Sequence, residues 1–260
     1  MYRRKGFTLV ELLVVIGIIA LLISILLPTL NKAKQQALRV ACAANLRAMG
    51  QAQTMYIAET GYYPGHAALR SGVNPFAVWP TRLRKMTRGS RDLFWCPANE
   101  QGFRWQLVVG APGGRFATAA ETGYGYEIGE LLLDVFTVPF SYGYNDWGAN
   151  NIQPANAPNT QRGLGGDLWN PNSREIKAGR IKKSSEMIAI SDNISDGSWD
   201  YNIDPQNPRE YPGKLHNKGA NVLFCDGHVQ WYLQRDLCNV DRNTPAGQAM
   251  ARLWNNDNNP

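Results

Sequence analysis

Five side chains in the second half of the sequence, Asp192, Asp196, His216, Asp226 and His228, are of the kinds that hold metals or move protons. A carboxylate with two imidazoles can ligate a divalent cation or act as an acid–base pair, provided folding gathers them. His216, Asp226 and His228 form the sharpest such set, beside a predicted turn. The plainer reading gives Asp226 to the turn itself through its side chain, and His216 to the backbone of the loop before the strand. It is preferred because no motif supplies a nucleophile or a complete ligand set. Asp192-Asn193-Ile194-Ser195-Asp196-Gly197 places oxygen donors close together before a glycine, but lacks the spaced Asp/Asn positions and terminal Glu of an EF-hand. Asp192, Asp196 and Asp226 therefore stand as candidate metal ligands, with calcium the ion considered for the 192–197 segment. No other cofactor is expected and no catalytic residue is assigned.

Cys42, Cys96, Cys225 and Cys238 have no C-x-x-C spacing, so the sequence suggests neither a zinc ribbon nor a thioredoxin-like site. In an exported domain they would be free to pair, with three connectivities open. The chain carries 27 Lys and Arg against 21 Asp and Glu, but Arg3, Arg4 and Lys5 fall within the first six residues. Without that segment the balance is 24 to 21, and the one local basic cluster, Thr81 to Arg91, reads as a solvated face. Nucleic acid is therefore not an expected partner.

These groups must be positioned by a chain that begins unlike a soluble domain. Phe7 to Leu27 are 21 residues whose only ionised side chain is Glu11, preceded by Arg3, Arg4 and Lys5. As a helix the run rises about 31 Å, enough for a hydrocarbon core of ~30 Å. The basic flank predicts a cytoplasmic start and export of everything after Leu27. A secretory signal peptide ending at Ala41-Cys42-Ala43 is the competing reading; the apolar run is too long, and that site lies beyond a polar helix. Glu11 costs roughly 2.5–3.5 kcal/mol inside an apolar span, so it either snorkels or meets a partner.

Lys5-Gly6-Phe7-Thr8-Leu9-Val10-Glu11-Leu12 resembles the processing motif of type IV pilins and type II secretion pseudopilins. The resemblance implies cleavage by prepilin peptidase between Gly6 and Phe7, methylation of the new Phe7 amino group, and a role for Glu11 in assembly, facing a neighbour's amino terminus. Pro28 falls where pilins commonly have a helix-kinking proline; its missing N–H predicts a bend over Ser24 to Pro28, without an end to the helix. At the other end, His216 followed after nine residues by Asp226-Gly227 resembles the signature of a prepilin-type processing-associated carboxyl-terminal domain. Cys42 to Arg47, Tyr56, Cys96-Pro97 and Ser141 to Asn145 resemble further landmarks of that group.

Beyond Pro28, Leu30, Ala33, Ala37, Ala41, Ala44, Ala48, Ala52 and Met55 recur at helical spacing, predicting an amphipathic continuation to about Glu59 that packs this stripe on the chain's own sheet. Gly61 and Pro64 end it. Residues 62 to 180 are rich in Gly, Pro, Asn and aromatics, with an extended loop over 145–172 and short apolar pieces at Leu93–Cys96, Trp105–Val109, Leu131–Tyr144 and Met187–Ser191. Asp226-Gly227 between alternating runs predicts a two-residue hairpin turn near 221–232, with Phe224 facing Val229 and Val222 facing Trp231.

The expected architecture is α+β and pilin-like: a leader over 1–6, a transmembrane helix over 7–28, its amphipathic continuation over 29–60, and a head over 61–260 with a small, mainly antiparallel sheet. The expected function is structural. It is that of an inner-membrane subunit, its head periplasmic or in a surface filament, assembling with other pilin-like subunits into a pilus or secretion pseudopilus. The alternative is a minor pilin or monomeric membrane-tethered binding protein, with tryptophans and tyrosines forming a contact surface. A tethered enzyme using His216 and Asp226 would be a third class, for which no substrate is implied.

Overall fold

The amino-terminal pattern folds into one 52-residue helix, α1 (Leu9–Thr60), in the computed structural model, which describes residues 8–65, 67–68, 77–105, 116–132, 140–147, 162–165, 175–194 and 201–260. The helix is about 78 Å long. It starts at Thr8 in extended backbone, runs through Pro28, and stops where Gly61 takes the left-handed conformation (φ 78°), its N–H donating to Ile57 O. From Thr8 to Ala37 every side chain is exposed. The head covers only the last part of the helix.

The face that the head covers differs from the expected one. Cys42, Leu46, Met49 and Gln53 are buried, at intervals of four, three and four, with Gly50 and Ala52 beside them. Of the alanine stripe only Ala52 is buried; Ala33, Ala37, Ala41 and Ala44 face outward, and Leu30 and Met55 are exposed. Hydrophobic surface gained per residue explains the correction, because Leu, Met and Cys bury more apolar area than alanine does. Gly50 lets the helix and sheet approach closely: a Cβ there would lie 2.8 Å from a Leu223 methyl group.

Two residues each form β1 (Ala67–Ala68) and β2 (Ala77–Val78), an antiparallel pair that leads into α2 (Trp79–Met86). The main sheet has the order β5-β3-β4-β6-β7, built from β3 (Tyr142–Asn145), β4 (Ile188–Asp192), β5 (Asn202–Ile203), β6 (Gly219–Phe224) and β7 (Val229–Leu233). All its pairings are antiparallel except β3 with β5. The short helices α3 (Gln234–Leu237) and α4 (Pro245–Trp254) follow. This is the α+β pilin-like architecture, a long helix against a small, mostly antiparallel sheet.

Both sheet faces are covered. Toward α1, Tyr142, Tyr144, Ile190 and Leu223 join Leu46, Met49, Trp79 and Phe94 in the larger core. On the other face Ile188, Val222 and Phe224 pack with Leu237, Ala251 and Trp254. A register irregularity between Ile188 and Ile190 lets both residues be buried, one toward each core.

The hairpin also departs from its expected register. Leu223 pairs with Val229, Val222 with Gln230 and Asn221 with Trp231. The loop holds three residues, Cys225-Asp226-Gly227, closed by Gly227 N–H to Phe224 O and Phe224 N–H to His228 O, both 2.9 Å. Gly227 sits at φ 94°, the left-handed position that a three-residue loop requires. A one-residue change of register exchanges the faces of one strand against the other. Thus Leu223 and Val229 share the α1 side, whereas Val222 and Phe224 turn to α4.

Candidate functional site

Three places carry chemistry, and the first is the start of α1. Thr8 and Glu11 form a reciprocal cap: the Thr8 N–H and Oγ1–H donate to Glu11 Oε2 at 2.9 and 2.7 Å, and the Glu11 N–H donates to Thr8 Oγ1 at 3.2 Å. The carboxylate therefore already has local partners at the one turn where backbone N–H groups lack them. The signal is legible in the sequence as Thr8-x-x-Glu11, the spacing of a reciprocal cap. Gly6 and Phe7 lie outside the described residues. Pro28 lies inside α1, where its ring leaves the Ser24 carbonyl without its usual donor. Leu9 to Leu27 have no contact from the head, and this is a helix long and apolar enough to cross a membrane.

The second place is the hairpin tip. Asp226 Oδ1 accepts from the His228 backbone N–H at 3.1 Å and lies 2.7 Å from His228 Nδ1. The His228 ring stacks on Phe224 with centroids 4.2 Å apart. Asp226 thus serves the turn. His216 does not join it. That residue bridges to Gly219 at the opposite end of β6, whose six residues span about 20 Å. The sequence set His216, Asp226 and His228 is therefore divided between two sites.

His216 belongs to the third place, a buried cluster between α1 and the sheet. Its Nε2 lies 3.3 Å from Cys96 Sγ and 3.4 Å from Asp192 Oδ2. Cys96 is disulfide-bonded to Cys42 of α1, with Cα atoms 5.3 Å apart. One ligand atom from each of Cys42, Cys96, Asp192 and His216 lies within 4.8 Å of all the others. Cys42, Cys96 and Asp192 are fully buried, and His216 is 1% exposed. Asn221 N–H donates to Asp192 Oδ2 at 2.7 Å, and the Asn45 amide holds the loop before Cys96 by donating to Trp95 O at 3.0 Å. Asp192 Oδ1 and His216 Nδ1 have no hydrogen-bond partner among the described residues.

Asp192, the first residue of the segment considered for calcium, is buried at the end of β4, and Asp196 lies outside the described residues. Cys225 and Cys238 are free thiols. Burial first, and then the nearby Asp204 charge, push the Cys238 thiol up to about 12. The sequence could not collect the four-residue cluster, since its members are spread over 174 positions and converge only through the sheet. A groove beside it, between α1 and residues 214–218, is lined by Lys32, Arg39, Lys214 and Lys218, with His216 at its edge.

The long exposed helix, its amino-terminal cap and the sheet head together make a pilin-like architecture. Residues 1–27 match the family model described as the prokaryotic N-terminal methylation motif. The chain is similar to the type IV wide pilus major component PilA4 of Thermus thermophilus, 43% identical over 72 residues, covering 27% of this chain and 55% of that protein. It is also similar to the type II secretion system core protein G of Pectobacterium carotovorum, 32% identical over 80 residues, covering 31% of this chain and 49% of that protein. The chain thus spans about half the length of the curated relatives it matches. No solved structure matches it.

Proposed function

We propose that this chain is a filament subunit of the pilus or secretion-pseudopilus type, cut by prepilin peptidase after Gly6 and methylated on Phe7. The observation that carries the reading is the coincidence of the methylation motif with an apolar helix whose side chains are all exposed through Ala37. Such a surface is unfavourable in water and must be covered by lipid before assembly and by neighbouring helices after it. The outward alanines Ala33, Ala37, Ala41 and Ala44 support close approach of another helix. In this reading the subunit waits in the inner membrane with its start cytoplasmic and its head outside.

Glu11 then has two successive roles. Its cap on Thr8 satisfies the carboxylate in the waiting subunit, and during assembly it faces the charged amino terminus of a neighbour. A charged amine in low dielectric offers more than the two neutral donors do. The head is assigned no catalytic role. Its described tryptophans argue against an aromatic contact surface: Trp79, Trp105, Trp147 and Trp254 are buried and Trp95 and Trp231 partly so.

Mass spectrometry of the amino terminus from isolated membranes tests the first step. Mature chains beginning with methylated Phe7, and an unprocessed Gly6→Ala variant, are expected; an intact Met1 in the natural chain overturns the reading. Glu11→Ala is expected to be processed normally yet to reduce sheared filament yield at least tenfold. Equal yields would instead favour a processed but monomeric tethered protein.

A further inference from the structure

We propose that Cys42, Cys96, Asp192 and His216 form a zinc site when the two cysteines are reduced, so that disulfide and metal are alternative staples between α1 and the sheet. The donor set is two thiolates, one imidazole and one carboxylate, which suits a closed tetrahedral zinc site. Bonds of the usual length place tetrahedral ligands about 3.3–3.8 Å apart. His216 Nε2 already stands 3.3 Å from Cys96 Sγ and 3.4 Å from Asp192 Oδ2. All four ligand atoms already lie within 4.8 Å of one another, and the two sulfurs must separate from bonding distance to about 3.8 Å.

Two further observations point to a ligand. Asp192 is a fully buried carboxylate whose Oδ1 accepts no hydrogen bond among the described residues, and buried charges are normally paired or bound to metal. Its Oδ2, the oxygen that faces His216 Nε2, is fixed by the Asn221 N–H at 2.7 Å and keeps a lone pair for the metal. His216 is set by its backbone bridge to Gly219, and its Nδ1 has no hydrogen-bond partner among the described residues. The two states also carry the same formal charge. A disulfide, a neutral imidazole and a carboxylate sum to minus one, as do Zn²⁺, two thiolates, an imidazole and a carboxylate.

The chemistry balances without an unnamed reagent. A water-soluble phosphine reduces the disulfide and ends as its oxide, with oxygen from water, while the two sulfurs take the water protons as thiols. Zn²⁺ then displaces both thiol protons. A newly made chain carries thiols already, so metal can bind before oxidation.

The full chain in detergent, reduced with the phosphine under nitrogen, is titrated with Co²⁺. One equivalent is expected to give the visible bands of tetrahedral cobalt and thiolate-to-cobalt charge transfer in the near ultraviolet, both bleached by Zn²⁺. The oxidised chain is expected to show neither. Asp192→Asn and His216→Gln should each weaken cobalt binding more than 100-fold, beyond the range typical of outer-shell losses. Cys238→Ser, which alters a thiol outside the cluster, should leave the spectrum unchanged. Absence of the bands in a reduced chain that keeps its near-ultraviolet circular dichroism overturns the proposal. So does their persistence when Cys42 and Cys96 are both serine. If reduction unfolds the head, recovery of the dichroism by Zn²⁺ supports the site and failure to recover refutes it.

Discussion

Arg84 shows how single residues in the head are held by charge as much as by packing. It is 3% exposed and bonds to Glu130, itself 7% exposed, and to the Gly125 carbonyl, while its guanidinium lies 5.2 Å from the centre of the Trp105 ring. Burial opposes ionisation of Glu130. Hydrogen bonds from Arg84 and the Glu127 N–H, with the charges of Arg84 and Arg91, outweigh it and hold the carboxyl below the ordinary carboxylate range. A depressed pKa contributes stability that is complete above the unfolded value of about 4.3 and is lost as pH falls through the folded value. Chemical denaturation monitored by tryptophan fluorescence should therefore show falling stability below about pH 4.5, with a shallower acid limb in Glu130→Gln. Arg84→Met, which leaves the buried carboxylate with Arg91 as its one charged partner, is expected to cost about 3 kcal/mol at neutral pH. Neither partner stood out in the sequence, where Arg84 looked like one member of a solvated basic face.

Among the elements, the hairpin and the second half of α1 show where pattern stops deciding. Asp-Gly announced a turn, and a turn is there, but two- and three-residue loops both accept glycine at left-handed φ. The register follows from which choice packs better. With three residues in the loop, Leu223 meets α1 near Gly50 and Phe224 reaches the α4 core, so both bulky side chains are buried. Gly227→Ala places a side chain at φ 94° with no steric obstacle around it, so its cost is conformational alone. A loss of about 1–2 kcal/mol is expected by denaturant titration, with the hairpin register unchanged by NMR. In α1 the alanine stripe had the right period but the wrong phase. A helix of that period fits any azimuth until bulkier neighbours, here Leu46 and Met49, select one.

For the whole molecule the decisive contact is the Cys42–Cys96 link, which closes a sequence separation of 54 residues and ties α1 to the head. The chain-entropy argument assigns such a loop about 4 kcal/mol. Reduction with a chelator present should therefore lower the denaturation midpoint of the head substantially, and the helical signal of the apolar half of α1 should survive because lipid or detergent, not the head, supports it. A midpoint unchanged by reduction would show that the link adds nothing beyond the surrounding packing.

The sequence by itself determined the apolar run, the methylation motif, the continuous helix to the neighbourhood of Gly61, and a turn at Asp226-Gly227, because each is a local matter of hydrophobic run length, backbone freedom or adjacent residues. Only the tertiary structure decided which face of α1 is buried, which strand register holds, which cysteines pair, and that His216 leaves Asp226 to stand beside Asp192 and the disulfide. Those outcomes depend on contacts between segments far apart in the chain. Their free energies are set by how side chains of given volume fill one shared core, a property that no local spacing records.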